Sequence, residues 1–281
     1  MLPYKLKILD AGSVHSLPPD PISPDLEVWR DPQDRVAAYG YVAERRYWMH
    51  FPDLASFCFS KEAAEITAFP RSAGRDAIVR DVYRRSVLPM VMQVRGCEAL
   101  HASAVVADHG SVAFCGASGA GKSTIAYGLA LRGYAQWADD SVVIERVGGE
   151  IRALALPFAA RLRSDSERYF AEARPAAARR RSAARRAASV PLTALFVLER
   201  APVDGGAGRV DVRRLRAAEL FTAVLPHAYC FSLADPARKR RMIRHYLELG
   251  SRVPAFRMRF SPDLGSLASM LDRIERLIAE D

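Results

Sequence analysis

The stretch Ser111–Thr124, SVAFCGASGAGKST, constrains this chain more than any other. Ser111–Cys115 reads as a strand and Lys122–Arg132 as a helix stopped by Gly133. Between them Gly116-Ala117-Ser118-Gly119-Ala120-Gly121-Lys122-Ser123 fits GxxxxGK[ST], in the strand-to-helix setting that the motif requires. The glycines let the main chain turn tightly, so that successive N–H groups converge on phosphate oxygens beside a helix N-terminus that favours anions. Lys122 stands where it reaches β- and γ-phosphates, and Ser123 where a hydroxyl ligates Mg²⁺; Thr124 opens the helix. The segment Gly116–Thr124 is therefore expected to bind nucleotide phosphates.

What feeds the loop decides the kind of sheet. Ala102–Ala107 reads as a strand, and only Asp108-His109-Gly110 separates it from Ser111–Cys115. So short a link makes a hairpin and excludes a parallel crossover. That sets the chain apart from the largely parallel sheets of switch GTPases and RecA-like ATPases. No long apolar strand ends in the Asp-Glu pair of transporter ATPases. Instead Ala138-Asp139-Asp140 closes the strand after the loop helix. Adjacent carboxylates at a strand end point in different directions, so one can face a metal and the other an acceptor. His101 opens the hairpin, and antiparallel pairing brings it toward the loop mouth and Asp139.

The remaining pattern divides the chain into residues 1–95 and 96–281. The first part has a proline-rich opening, then short alternating segments at Val36–Val42, Arg46–Phe51 and Ala55–Phe59, read as a small antiparallel sheet. A helical stretch near Gly74–Val94, interrupted at Pro89, closes it. The second part continues with a hairpin (Val142–Arg146 and Ile151–Leu156) and strands Leu192–Glu199 and Val253–Phe260. Helices are expected near Ala217–Leu225, Pro236–Leu249 and Leu264–Ala279. The fold class is α/β with a mixed, hairpin-containing sheet and a β-rich N-terminal domain.

Charge narrows the partners. The formal charge is +9, but six arginines crowd into Arg174–Arg186 without an acidic residue among them, so +3 remains for everything else. Residues 174–189 carry Ala and Ser as filler and no aromatic, the pattern of a solvated flexible segment or a dock for an acidic peptide. A nucleic-acid groove would interleave aromatics with its charge, so nucleic acid is not expected as a partner. Cys58, Cys97, Cys115 and Cys230 show no CxxC spacing, which reads as four buried thiols in a reducing compartment and gives no zinc site. The N-terminus lacks a signal-peptide apolar core and no apolar run reaches membrane-spanning length, so a cytoplasmic protein without a membrane partner is expected.

Together, His101, GASGAGKST, Arg132-Gly133 and Ala138-Asp139-Asp140 resemble the catalytic core of the bacterial HPr kinase/phosphorylase family over about forty contiguous residues. The resemblance implies the P-loop kinase core shared with ATP-dependent phosphoenolpyruvate carboxykinases. By position it makes Asp139 the general base on an acceptor serine, with His101 beside it. Asp140 and Ser123 would hold Mg²⁺, and ATP would be the phosphate donor. Arg161 and Arg163 are candidates for orienting phosphate or a peptide carboxylate. The chain departs from the family in three places. Thr124 stands where the family has an acidic residue, and Leu156–Arg163 replaces its Glu-Ile-Arg-Gly signature, with Asp165 and Glu167 as weak substitutes. The first ~95 residues differ from the family's N-terminal domain. The layout resembles the shorter HPr-kinase-like proteins that phosphorylate a serine of a ribosomal precursor peptide of the lasso type. An HPr-type regulatory kinase, a carboxykinase acting on a small acid and a non-catalytic nucleotide-dependent binding module are the alternatives, and homo-oligomerisation stays open.

Overall fold

The computed structural model describes residues 4–11, 26–31, 33–158, 160–172, 187–201, 210–231, 235–261 and 263–280. The arginine-rich reading at 174–189 lies outside them up to residue 186, and so does most of the proline-rich opening. The chain forms two compact units, Met1–Cys97 with Tyr229–Met242, and Glu98–Ala228 with Ile243–Asp281. The return of Tyr229–Met242 to the first unit is a feature that linear reading of the sequence does not contain.

The first unit is built on a sheet of β1 (Lys5–Ile8), β2 (Glu27–Arg30), β3 (Val36–Ala43), β4 (Arg46–Phe51), β5 (Ala55–Phe59) and β6 (Glu65–Pro70). Its order is β1-β6-β5-β4-β3-β2, and β1 lies parallel to β6 while the other neighbours are antiparallel. The three segments read from the sequence, now β3, β4 and β5, are antiparallel as expected, and β1 adds a parallel strand at the edge. Phe231 packs against Trp29, Tyr47 and Phe59 at ring separations of 5.7, 5.8 and 6.2 Å. Gly40 is required there, since a Cβ would lie 2.6 Å from the Phe231 ring.

Helical structure then runs from Asp76 to Val94 as α1 (Asp76–Val82), a π-helical stretch Tyr83–Val87, and α2 (Leu88–Val94). The expected break at Pro89 is absent; the irregularity comes ahead of it. Proline has no N–H for the carbonyl four residues back and crowds it, and a wider turn relieves both. The carbonyl in question, Arg85 O, accepts the Tyr229 hydroxyl at 3.4 Å.

The second unit begins with β7 (Glu98–Leu100), β8 (Ala102–Ala107), β9 (Gly110–Gly116), α3 (Lys122–Leu131), β10 (Ala135–Ala138), β11 (Val142–Val147) and β12 (Glu150–Leu154). It continues with α4 (Ser164–Glu172), β13 (Ser189–Arg200), β14 (Val210–Arg214), α5 (Ala217–Val224), α6 (Pro236–Arg252, which belongs to this unit from Ile243 on), β15 (Ala255–Phe260) and α7 (Leu267–Glu280). The expected hairpin is β8–β9, paired antiparallel from Ala102↔Cys115 to Ala107↔Gly110. β13 is the hinge of the sheet. Its first residues pair antiparallel with β12, and the rest runs parallel to both β9 and β15. Along the path β10-β8-β9-β13-β12-β11-β7, β7 and β8 are remote neighbours, yet only His101 separates them in the chain. The sheet must therefore curl back on itself, and His101 sits at the seam.

The fold is mixed α/β, with α3 and α7 covering one face. Phe114, Phe196, Phe256, Leu129 and Ile274 form the buried cluster between them. Short β7, α4 and β14 carried no signal that the sequence reading used. Among the described residues no helix is long and apolar enough to cross a membrane.

Candidate functional site

The glycine-rich loop lies between β9 and α3. Ala120 N donates to Ala117 O at 3.0 Å, and Ile125 N donates to Gly121 O at 2.9 Å as the helix begins. Gly121 precedes α3 at φ +99°, and no side chain caps the helix. A left-handed residue here suits glycine, and the uncapped first turn leaves N–H groups free of intrahelical partners. Lys122 is buried with its ammonium folded onto the loop, donating to Gly116 O at 2.9 Å and Ala117 O at 3.1 Å. Burial pushes its pKa below the usual lysine range, while Cys115, Asp140 and Asp139 oppose that shift. Below it, burial pushes the Cys115 thiol up to about 12, so that sulfur stays protonated and inert.

Pairing of β10 with β8 sets the next residue. Ala138 lies opposite Ala104, so Asp139, one step on, faces Ser103. Asp139 is only 6% exposed. Its Oδ1 accepts the Ser103 and Ser123 hydroxyls, each at 2.7 Å, and its Oδ2 accepts the Arg161 N–H at 3.0 Å. The Ser123 hydroxyl and the strand-end carboxylate, sixteen residues apart, thus meet directly. The resemblance implies that Asp140 shares the metal with Ser123; the hydrogen bond joins Ser123 to Asp139. Asp140 takes φ +63°, an uncommon conformation for a non-glycine residue, and its charge bears on Lys122.

His101 reaches the loop through its backbone. The hairpin register carries it opposite Gly116, and its N–H donates to His227 O at 2.7 Å.

Arg161 and Arg163 are exposed and belong to a strap laid across the loop before α4. Arg161 is pinned through its N–H to Asp139, and Ser166, buried in α4, stands 2.9 Å from Thr124 Oγ1. The Arg163 guanidinium covers Gly119, where a Cβ at φ +81° would lie 3.0 Å from it. Asp165 and Glu167 are exposed on α4, and Asp165 pairs with Arg168. Ala117 and Ser118 form the loop's exposed outer turn.

Sequence reading missed Ser103, Ser166 and His227. Strand alternation from His101 would have pointed to Ser103. Ser166 and His227 come from distant segments and leave no local signal.

The arrangement is a strand, an anion-cradling loop and a helix, with a lysine and a hydroxyl–carboxylate pair at one end. A hydroxyl and a carboxylate are hard oxygen donors and fit a small divalent cation that keeps phosphate oxygens and water as its other ligands. Among the described residues no group of three or more His, Cys, Asp or Glu side chains gathers into a metal cage.

No family model matches the chain, and no curated protein is matched. Among solved structures, the Hpr(Ser) kinase/phosphatase from Coxiella burnetii is similar at 16% identity. The match covers 65% of this chain and 92% of that one, with a TM-score of 0.34. So slight a likeness transfers no function.

Proposed function

We propose that this protein is an ATP- and Mg²⁺-dependent kinase that transfers a phosphoryl group to a serine hydroxyl of a peptide or small protein. The observation that carries the reading is the Ser123–Asp139 hydrogen bond, which joins the end of the glycine-rich loop to the end of β10. Loop N–H groups and the N-terminus of α3 would cradle the phosphates, and Lys122 would exchange its two carbonyl contacts for β- and γ-oxygens. Ser123 and one carboxylate would hold Mg²⁺, which when bound neutralises charge on the phosphates. Both oxygens of Asp139 are already occupied by hydrogen-bond donors, and this supports Asp139 as the metal-side carboxylate. The acceptor proton then falls to Asp140, the reverse of the order that the resemblance implies. Arg163, over Gly119, is within reach of the phosphates and would add a second positive charge as the terminal group transfers. A precursor peptide of the lasso type is the acceptor that the sequence resemblance favours.

Incubation with γ-labelled ATP, Mg²⁺ and serine-containing peptides tests this reading. Label on serine is the expected result, and ATP binding without transfer to any hydroxyl acceptor sinks it. The fully engaged Asp139 favours one second reading, a nucleotide-dependent binding module. In that case the carboxylate would report metal and nucleotide occupancy without abstracting a proton.

A further inference from the structure

His227 lies in a short 3₁₀ turn, Leu225–His227, that follows α5. Two main-chain contacts pin this turn to the seam of the curled sheet. His227 O accepts the His101 N–H at 2.7 Å, and Ala228 bridges to Leu100. Across the hairpin His101 stands opposite Gly116, whose carbonyl holds the Lys122 ammonium at 2.9 Å. The turn is thus about two strand spacings, ~9.6 Å, from the start of the loop, and the Lys122 charge acts on its imidazole across that gap.

We propose that His227 binds the terminal phosphate of the nucleotide, donating a hydrogen bond from its imidazole beside Lys122. This rests on the phosphate-binding reading above. Loop N–H groups enclose the inner phosphates, so a side chain arriving from outside the loop and beside Lys122 meets the outermost one. Burial and then the Lys122 charge hold the imidazole below its ordinary pKa. A neutral ring keeps one N–H donor and avoids setting a second cation beside the lysine. His227 would therefore distinguish a triphosphate from a diphosphate, a task that the loop amides cannot perform alone.

Calorimetric titration of the full-length protein with Mg²⁺-ATP and Mg²⁺-ADP tests the proposal for wild type, His227→Ala and His227→Gln. The expected result is ATP binding weakened about tenfold in His227→Ala, the size of one lost charge-assisted hydrogen bond, with ADP binding unchanged. Glutamine keeps an N–H donor and should recover part of the loss. Equal weakening of ATP and ADP would make the turn merely structural and overturn the proposal, as would no change in either. If His227→Ala melts early, the glutamine variant still decides, because a structural role gives it no ATP-over-ADP signature. Wild-type protein that binds neither nucleotide defeats the phosphate-binding reading itself, a different failure from the loss of discrimination alone.

Discussion

At the scale of single residues, the site's polar groups already satisfy one another, and this fixes how substitutions should fail. Lys122 is buried and donates to two loop carbonyls, of which the Gly116 contact is buried as well, so Lys122→Ala takes a donor from Gly116 O and should lower the melting temperature modestly. ATP should then give no thermal stabilisation to the variant while stabilising the wild type. Equal shifts in both proteins would remove the lysine from phosphate binding. Asp139 is the opposite case, because three donors converge on its two oxygens in a buried place. Asparagine retains one acceptor oxygen and turns an NH₂ group toward those donors, at a cost of about 1–3 kcal/mol for an unsatisfied buried group. Asp139→Asn should therefore melt earlier and need more Mg²⁺ for half-maximal transfer. Asp140→Asn should fold as the wild type does and lose transfer by ~10²–10⁴ at every Mg²⁺ concentration, as removal of a general base does. A Mg²⁺ titration of labelled phosphate transfer in both variants separates the two roles, and the exchanged pattern would restore the order implied by resemblance.

Among the elements, packing between helices decides what local propensity cannot. Gly250 lies within α6, where alanine would ordinarily add about 1 kcal/mol to helix stability. A Cβ there would come within 2.8 Å of Ala217 O and 3.0 Å of Ala217 Cα, both main-chain atoms at the start of α5. Backbone cannot rotate aside as a side chain can, and overpacking costs ~1–3 kcal/mol. Gly250→Ala is expected to lower the melting temperature; a rise would show that α5 can shift. The same end of α5 carries Glu219, whose carboxylate accepts the Arg216 N–H at 2.9 Å and pairs with Arg213. Those contacts hold its pKa down to about 2, against 4.5 for an unperturbed side chain. The folded form therefore favours the charged carboxylate, so its stabilisation is present above pH 4.5 and fades as pH falls toward 2. In Glu219→Gln, the fall of melting temperature across that window should be shallower than in wild type.

Periodicity made the longer elements legible. The bounds of β4, β5 and β8, and the end of β10, follow directly from alternation or from the turn residues beside them. Beyond the β8–β9 hairpin, it could not reveal the strand pairings that build the site. Nothing local in Ser189–Arg200 says that one strand will leave β12 to run between β9 and β15. Nor does any local pattern bring the turn at His227 against His101, 126 positions apart in the chain. The candidate loop, Asp139 and His101 were visible because a contiguous motif encodes them, while Ser166 and His227 depend on long-range packing.

For the whole molecule, charge is the property that a substrate meets first. The formal charge is +9, and the six arginines between Arg174 and Arg186 account for most of it. The strap and α4 lead into this stretch and β13 follows it, so its sequence position ties it to the segment that crosses the candidate loop. An acidic peptide approaching the site would gain association rate from that charge, and salt should remove the gain, since the Debye length falls to about 8 Å at physiological ionic strength. Replacing all six arginines by glutamine keeps the chain length and the apolar content while removing the field. The variant is expected to show a raised KM for an acidic serine peptide, an unchanged KM for ATP and a little-altered kcat. The difference from wild type should be largest at low salt and should close as salt approaches 1 M, where screening reaches about 3 Å. An ATP KM that rises in parallel would place the arginines at the nucleotide. A peptide KM indifferent to both the substitutions and salt would mean that acceptor recognition rests on short-range contacts at the site alone.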